Sequence, residues 1–336
     1  MSNDKIFLTY NQQMKKLRND KKIACNASPN KIALVRSGYF NLINGYKTPF
    51  ICGIDNSGNH IYLPDISLEQ IYKLKKFDEA LRIFLLKYIT QVEEEVRTLT
   101  GYKFDECNDN GKIPWFDTNA YSSKSSLQSR MNTISSAYSE ISKSQSEYVK
   151  FYMENHEQIP TWIMIKAINF STFIYVLQNS KTNVTHAICN LYSMFDANAK
   201  PNVKLLIGSL HWLRKVRNSC AHNERVYNIR QLQTKKDSSS GRILEPYFSQ
   251  LPQSYRNTQD KNIFDILIYL KYYLPKEEYT PMILELKNML LNLQAVLSPN
   301  AFANVRGQMG IKDISILDTL INLPKVKIQY NKFDTY

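Results

Sequence analysis

The chain has 336 residues, enough for one large domain or two ordinary ones, and 43% of them are hydrophobic. This length and composition exclude a disulfide-stapled mini-protein and a wholly disordered chain. The formal net charge of +13 favours a polyanionic partner, either nucleic acid or an anionic membrane surface.

The positive charge is concentrated in two basic stretches. Residues 1–50 contain nine basic and two acidic residues, and residues 201–250 contain nine basic and three acidic residues, whereas the middle of the chain is near neutral. If the two basic stretches converge after folding, they form one surface for a polyanion. The alternative is that their lysines lie on two unrelated solvated faces.

The apolar segments of the chain are predicted to be core helices rather than membrane spans. Trp162–Leu177 and Ile263–Leu274 are each interrupted by charged or polar residues, and no apolar segment of a signal peptide follows Met1. The five cysteines are an odd number without zinc-type spacing, which suits a reducing compartment. We therefore expect a cytoplasmic protein with no membrane contact, no metal site and no cofactor.

Residues 1–66 are predicted to form a basic N-terminal unit. Thr9 can cap a helix that runs past Leu17. An aromatic stretch with two glycines, SGYFNLINGYKTPF at 37–50, follows. Phe50–Ile54 and His60–Leu63 flank a turn-forming DNSGN segment, so they are predicted to pair as a β-hairpin, the only β structure expected in the chain.

Residues 67–230 are predicted to form a helical bundle. The first helix is long, because its apolar residues keep helical spacing from Phe77 to Leu99. A Ser-rich stretch at 121–148 also keeps this spacing and is interpreted as a polar surface helix rather than a linker. Further helices are predicted at Thr161–Leu177, Asn183–Phe195 and Asn202–Ala221.

The last third of the chain is predicted to be a loop followed by more helices. Residues 231–262 lose helical periodicity and gather Ser, Gly, Pro and Gln, which is typical of a loop or linker. Within 263–336, helices at Ile263–Tyr273, at Met282–Leu297 and near Ile314–Leu320 are expected to pack on the bundle. The predicted fold class is therefore mainly α, with a bundle, a small N-terminal unit with one hairpin, and additional C-terminal helices.

The helix at 202–221 carries a charged side chain where an apolar one is expected. At 100° per residue, Arg217 lies within about 20° of Leu206, inside the apolar stripe. Burying an unpaired charge costs several kcal/mol, so this guanidinium needs a carboxylate, an anion or an open cleft beside it. Arginine suits phosphate in particular, because it binds phosphate oxygens through two hydrogen bonds and stays charged.

His222 follows Arg217 by five residues, so on an ideal helix it would point about 140° away from the arginine. Either the helix distorts or ends between them, or the functional unit includes a second copy of the chain. Because histidine transfers protons near neutral pH, Arg217, Asn218 and His222 would suit metal-free RNA cleavage, in which the ribose 2′-OH attacks the adjacent phosphate. The structural alternative is that His222 only caps the C-terminus of the helix.

Four strings of the chain resemble, in order, the motifs of one protein family. RNSCAHN at 217–223 resembles the Arg-x4-6-His signature of the HEPN superfamily, and the aromatic stretch at 37–50 resembles the opening motif of the Abi-like (AbiD/AbiF) proteins of bacterial abortive infection. VEEEVR at 92–97 is similar to their I-E-x-x-L-R helix, and IPTW at 159–162 is similar to their P-x-W helix start. The chain thus resembles the Abi-like abortive infection family of HEPN ribonucleases.

The resemblance implies a HEPN-type helical bundle and a metal-independent endoribonuclease, a toxin of phage defence whose motifs meet across a homodimer. His222 would transfer protons, Arg217 would hold the scissile phosphate, and Asn218 would orient the substrate or the motif. Glu93 would support the site by pairing with Arg217 or Arg97, and the alternative is a plain surface ion pair with Arg97. The products would carry a 2′,3′-cyclic phosphate and a 5′-OH.

RNA is the predicted partner, as substrate and, by resemblance, as a small structured antitoxin RNA that restrains the enzyme. The candidate RNA-binding residues combine positive charge with aromatic rings and are Lys31, Arg36, Tyr39, Tyr46, Lys47, Arg214, Lys215 and Arg225. Phe40 and Phe50 are instead expected to pack the N-terminal unit on the bundle. The alternative functions are a non-catalytic RNA-binding protein of a defence or regulatory ribonucleoprotein and a helical protein-interaction scaffold.

Overall fold

The computed structural model describes residues 7–25, 27–232, 247–256, 260–324 and 327–335.

The first helix begins directly after the capping residue that the sequence predicts. Thr9 caps α1 (Tyr10–Lys21) through reciprocal hydrogen bonds with Gln12. Helix α2 (Ala27–Ser37) follows, and the aromatic stretch then forms a π-helical turn at Phe40–Asn44 and a 3-10 turn at Thr48–Phe50.

The predicted hairpin is confirmed and is the only sheet in the described part of the chain. Strands β1 (Ile51–Ile54) and β2 (His60–Tyr62) are antiparallel, with Ile51 opposite Tyr62 and a bulge after Ile51. Asp55 Oδ1 accepts hydrogen bonds from the N–H groups of Ser57 and Asn59, which closes the turn between the strands.

A single long helix, α3 (Leu68–Glu106), is the central element of the fold. Its 39 residues span about 60 Å, and Ser67 caps it with a reciprocal pair of hydrogen bonds to Gln70. It contacts helices from the N-terminal, middle and C-terminal parts of the chain, including Ala27–Ser37, Thr161–Ala167, Thr182–Leu191, Val203–Ala221, Ile263–Tyr273 and Lys276–Gln294. One helix therefore supports residues that are distant in the sequence.

The predicted helix at Thr161–Leu177 is wrong as a single element. The middle of the chain forms α4 (Leu127–Ser142), α5 (Glu147–Asn155), α6 (Thr161–Ala167), α7 (Phe170–Asn179), α8 (Thr182–Leu191) and α9 (Val203–Ala221). The backbone is extended at Ile168, and Asn169 then caps α7 by accepting from the Thr172 N–H. Asparagine is a favoured residue at this capping position, so a new helix starts after Asn169 although apolar residues lie on both sides of it.

The described residues of the C-terminal part contain two helices that the sequence does not predict. Its helices are α10 (Gln253–Arg256), α11 (Ile263–Tyr273), α12 (Lys276–Gln294), α13 (Pro299–Met309) and α14 (Ser315–Asn322). The additional ones are the short helix α10 and helix α13, which Ser298 caps. Of the predicted loop at 231–262, residues 233–246 and 257–259 lie outside the described residues, and the described remainder includes a 3-10 turn at Tyr247–Gln250 and α10.

The buried side chains form a continuous hydrophobic core that reaches from α1 to α14. Helix α11 is buried on every side, and the Asn304 side chain of α13 donates a 2.8 Å hydrogen bond to the Pro49 carbonyl in the N-terminal unit. The mainly α fold class is confirmed. The division of the chain at residues 66, 230 and 262 stays a prediction. No helix in the described residues has the length and apolarity needed to cross a membrane.

Candidate active site

Helix α9 positions the motif residues because both of its ends are specified locally. Asn202 caps its N-terminus by accepting from the Leu205 N–H at 3.0 Å. The helix ends at Ala221, so His222 is the C-cap, and Asn223 then takes a left-handed backbone conformation with φ of 57°. The helix therefore ends between Arg217 and His222, which is one of the arrangements that their spacing allows.

Arg217 has the carboxylate neighbour that its place in the apolar stripe requires. The Nε atom of Arg217 lies 3.4 Å from Oε2 of Glu93 on α3. The Glu93 side chain is 10% exposed, whereas that of Arg217 is 36% exposed. The guanidinium thus lies beside a buried carboxylate on one side and reaches solvent on the other.

A second arginine holds Glu93 in place. Arg97, one turn further along α3, donates to Glu93 Oε1 from Nη2 at 2.7 Å and from Nε at 3.1 Å. It also donates to the Ile165 carbonyl at 2.5 Å, and its guanidinium lies 4.8 Å from the centre of the Phe173 ring. Burial lowers the pKa of Arg97. The Glu93–Arg97 pair is therefore a buried link between α3, α6 and α7 and not a surface ion pair.

The exposed side of Arg217 faces an open pocket of about 430 Å³ between α3, α6 and α9, which we call the Arg217 pocket. Glu93, Arg97, Trp162, Lys166 and Arg217 are among its lining residues. Arg217 Nη1 also donates to Asn218 Oδ1 at 3.2 Å, so the amide predicted to orient the motif contacts the arginine directly.

His222 is exposed at the end of α9. Its backbone N–H donates to the Asn218 carbonyl at 2.9 Å, as expected for a C-cap. The backbone of His222 therefore caps the helix, as the structural alternative expects. The residue is also exposed, so its ring is accessible to a ligand. Ser219 then closes the following turn, because its hydroxyl donates to Glu224 Oε2 at 2.6 Å.

A buried carboxylate that the sequence analysis missed anchors the segment after His222. Asp78 of α3 accepts the backbone N–H groups of Val226 at 3.0 Å and Tyr227 at 2.7 Å. Its other oxygen accepts from the Tyr46 hydroxyl at 2.8 Å and from Arg82 at 2.6 Å. Burial raises the pKa of Asp78, and these hydrogen bonds oppose the shift.

The signal for Asp78 was present in the sequence. Asp78 lies in the apolar stripe of α3, on the same helical face as Leu81 and Leu85, which is the kind of misplaced charge that marks Arg217. One buried residue thus connects the aromatic stretch at 37–50, α3 and the segment that follows the RNSCAHN motif.

The cysteine of the motif is a core residue. Cys220 is buried, and burial raises the pKa of its thiol to about 12, so the reactive thiolate is scarce at neutral pH. Within the described residues, no three His, Cys, Asp or Glu side chains lie where they could hold a metal ion.

The two basic stretches meet at one open groove of about 730 Å³, which we call the basic groove. Arg36 comes from the first stretch and Arg225 from the second. Lys75, Glu79 and Arg82 of α3 also line the groove, so cations outnumber carboxylates there. Asn223, next to His222, also lines the groove. The basic groove therefore begins beside the candidate catalytic histidine.

Two aromatic residues are placed opposite to expectation. Tyr46, a candidate RNA-binding residue, is not accessible for stacking on RNA, because it is buried, its hydroxyl donates to Asp78 and its ring stacks on Tyr227 at 6.1 Å between centroids. The prediction that Phe40 packs inside is wrong, because Phe40 is 71% exposed at the basic groove. Phe50 is buried as expected.

The remaining candidate RNA-binding residues do not line the basic groove. Lys31 and Lys215 are exposed, while the side chains of Tyr39, Lys47 and Arg214 are half-buried. Lys215 donates to the Arg230 carbonyl at 3.1 Å and lies over the Trp212 ring. Burial raises the pKa of Tyr39 to about 12.

Comparisons with known proteins give one match. The family model described as Abi-like protein matches residues 33–228, which is more than half of the chain. The matched range contains the aromatic stretch, the hairpin, α3 to α9 and the RNSCAHN motif. No curated protein and no solved structure matches the chain.

Proposed function

The chain belongs to the Abi-like protein family, a membership that suggests abortive-infection defence, and from this premise we propose that it is a metal-independent endoribonuclease of the HEPN type that acts as a defence toxin. One observation carries the proposal. Arg217, fixed by the buried Glu93, opens into a pocket one turn before the exposed His222. These are the residue types that phosphate binding and proton transfer require.

In the proposed reaction, the ribose 2′-OH attacks the adjacent phosphorus. The O2′–P bond forms and the P–O5′ bond breaks, so the 2′-OH loses a proton and O5′ gains one. His222 transfers protons in this step, and Arg217 stabilises the negative charge that develops on the phosphate oxygens. The products are a 2′,3′-cyclic phosphate and a 5′-OH end.

Glu93 and Asn218 act as positioning residues in this proposal. Each contacts a different part of the Arg217 guanidinium, which leaves the other N–H donors of the planar fork for phosphate. A guanidinium held in one orientation before the substrate arrives loses less freedom when it binds. We propose that this is why a buried carboxylate lies beside it.

We further propose that the active unit is a homodimer. In one chain, Arg217 faces the Arg217 pocket and His222 follows the end of the helix beside the basic groove. In a homodimer, the second copy would supply a second Arg217 and a second His222, so that residues of both chains form one shared active site. Light scattering on the purified protein tests this directly, and a monomeric mass at concentrations that support cleavage would contradict it.

The reaction class is tested by incubating purified protein with RNA in excess EDTA. The proposal predicts cleavage that persists without free divalent cations and fragments with cyclic phosphate and 5′-OH ends, measured by end-specific labelling and mass spectrometry. Fragments with 5′-phosphate ends, or cleavage that EDTA abolishes, would contradict it.

The basic groove supports RNA as the partner and favours a second candidate function. Its cations lie beside an exposed Phe40 ring, a combination that holds single-stranded RNA through phosphate contacts and stacking.

A small structured RNA bound there would cover Asn223 and restrain the enzyme. RNA that co-purifies with the protein, measured as a raised ratio of absorbance at 260 and 280 nm, supports this restraint. Tight RNA binding without cleavage, even after bound RNA is removed, would instead favour a non-catalytic RNA-binding protein.

Replacing Arg36 by alanine is expected to weaken RNA binding without changing the cleavage rate at saturation. Because each phosphate of a single strand that a cation neutralises adds about 0.7 to the slope of log affinity against log salt, the variant should have a slope smaller by about that amount. Fluorescence anisotropy at several salt concentrations measures both affinity and slope. The matched control is Lys112→Ala, which should leave the slope unchanged. Lys112 is an exposed lysine that follows the C-terminal end of α3, and this end lies at least about 35 Å along the helix axis from the groove residues Lys75 and Arg82. Equal slopes for both variants would exclude Arg36 as a phosphate-binding residue.

A further inference from the structure

Helix α6 presents an exposed tryptophan beside Arg217. Trp162 is 60% exposed, whereas Ile163 and Ile165 of the same helix are buried. Helix α6 lies close to α3 at Gly101, where a side-chain β-carbon would lie 3.4 Å from Ile165 Cδ1. This close packing of the buried face directs the opposite face of α6 outward.

The outward face of α6 places a positive charge next to the indole ring. Trp162 and Lys166 are four residues apart, so they lie on the same side of the helix, and both line the Arg217 pocket. The Lys166 ammonium lies 5.1 Å from the centre of the Tyr148 ring, so it is held against α5. An exposed aromatic ring and the cations of Lys166 and Arg217 therefore line one open pocket, together with the Glu93–Arg97 pair and Glu94.

We propose that the Arg217 pocket is a nucleobase subsite, in which Trp162 stacks on the base next to the phosphate held by Arg217 and Lys166 contacts a neighbouring phosphate. The inference rests on the proposed function for the identity of RNA as the substrate. A nucleotide presents both a flat ring and a negative charge, and single-stranded RNA is commonly held by this pairing.

The charges of the pocket favour a nucleotide over a second copy of the chain. A protein surface that covered the Trp162 ring would also remove water from Lys166, Arg217 and the exposed Glu94. Each charge would then need a partner in the covering surface. A nucleotide would supply phosphate to Lys166 and Arg217 and a base to the Trp162 ring, without burying the Glu94 carboxylate.

Changes in intrinsic fluorescence on RNA binding can be assigned to Trp162. The chain has three tryptophans, and Trp115 and Trp212 are buried, with 2% and 0% exposure. A short single-stranded RNA is titrated into the full-length His222→Ala variant, so that the RNA stays uncleaved, while anisotropy of the labelled RNA reports binding. The expected result is saturable quenching of emission in parallel with binding.

Two further variants distinguish stacking of Trp162 on a base from an effect of the substitution on the fold. Adding Trp162→Phe should abolish the quenching and keep RNA affinity within a few fold, because phenylalanine still stacks. Adding Trp162→Ala should weaken affinity by roughly five- to 150-fold, the effect of removing the stacking of one base. Thermal unfolding of each variant checks that the fold is unchanged.

The outcomes distinguish this subsite from the proposed function. Saturated RNA binding with unchanged tryptophan emission, or wild-type affinity in the Trp162→Ala background, would overturn the subsite even if the wild-type protein cleaves RNA. Emission that changes with protein concentration and not with RNA would show that a second copy covers Trp162, which also overturns it. RNA that neither binds nor is cleaved would overturn the proposed function itself.

Discussion

Replacing Asp78 by alanine is expected to lower the free energy of unfolding by about 3–5 kcal/mol, the effect of removing one partner of a buried ionic network. The substitution leaves the Arg82 guanidinium, the Tyr46 hydroxyl and two backbone N–H groups without their buried acceptor. Urea denaturation followed by circular dichroism measures the change.

The neighbouring residue provides the control for Asp78. Glu79→Ala removes a carboxylate that pairs with Lys75 and Lys76 near the surface, so it should change the free energy of unfolding by about 0–1 kcal/mol.

Because Asp78 also anchors the segment after His222, Asp78→Ala should reduce RNA cleavage by more than its unfolded fraction explains. An unfolding free energy within about 1 kcal/mol of wild type would contradict the anchoring role.

Replacing Arg217 by alanine is expected to reduce the single-turnover rate of RNA cleavage by about 10²–10³-fold, the usual effect of removing one donor that stabilises transition-state charge. Arg217→Lys should recover only part of the rate, since lysine keeps the charge but lacks the planar fork. The measurement uses enzyme in excess over labelled RNA, so that binding does not limit the rate.

A lysine at the other end of the same helix is the control for Arg217. Lys204 is exposed near the start of α9, about 20 Å from Arg217 along the helix axis, so Lys204→Ala should leave the single-turnover rate unchanged. A rate for Arg217→Ala within about threefold of wild type would remove Arg217 from the catalytic step.

Several helix starts were predictable because a capping residue coincides there with a change of periodicity. Thr9, Ser67 and Asn202 each precede a helix whose start the sequence indicates correctly. At Asn169 the apolar pattern continues through the break, because α6 and α7 both bury apolar faces in the same core, so periodicity alone could not show the boundary.

The candidate site was predictable in part. A charge in the apolar stripe showed that Arg217 needs a partner, but spacing along one chain cannot identify which distant carboxylate supplies it, and only the family resemblance suggested Glu93. The orientations of Phe40 and Tyr46 could not be predicted, because a π-helical turn at Phe40–Asn44 changes the angular spacing between the two rings.

The convergence of the two basic stretches is a property of the folded chain. Arg36 and Arg225 are 189 positions apart, and they meet because Asp78 holds both the aromatic stretch and the segment after His222 against α3. The net charge of the sequence indicates a polyanionic partner but not where it binds. The fold locates the positive charge beside the RNSCAHN motif.

The most direct test of the account compares wild type with His222→Ala on the same RNA in EDTA. We expect His222→Ala to lower the rate by about 10²–10⁴-fold, the usual contribution of a proton-transfer residue, and to retain RNA affinity. The control is His60→Ala, an exposed histidine in β2 that should cleave normally. Cleavage by His222→Ala at the wild-type rate would contradict the central claim that this motif is the catalytic centre.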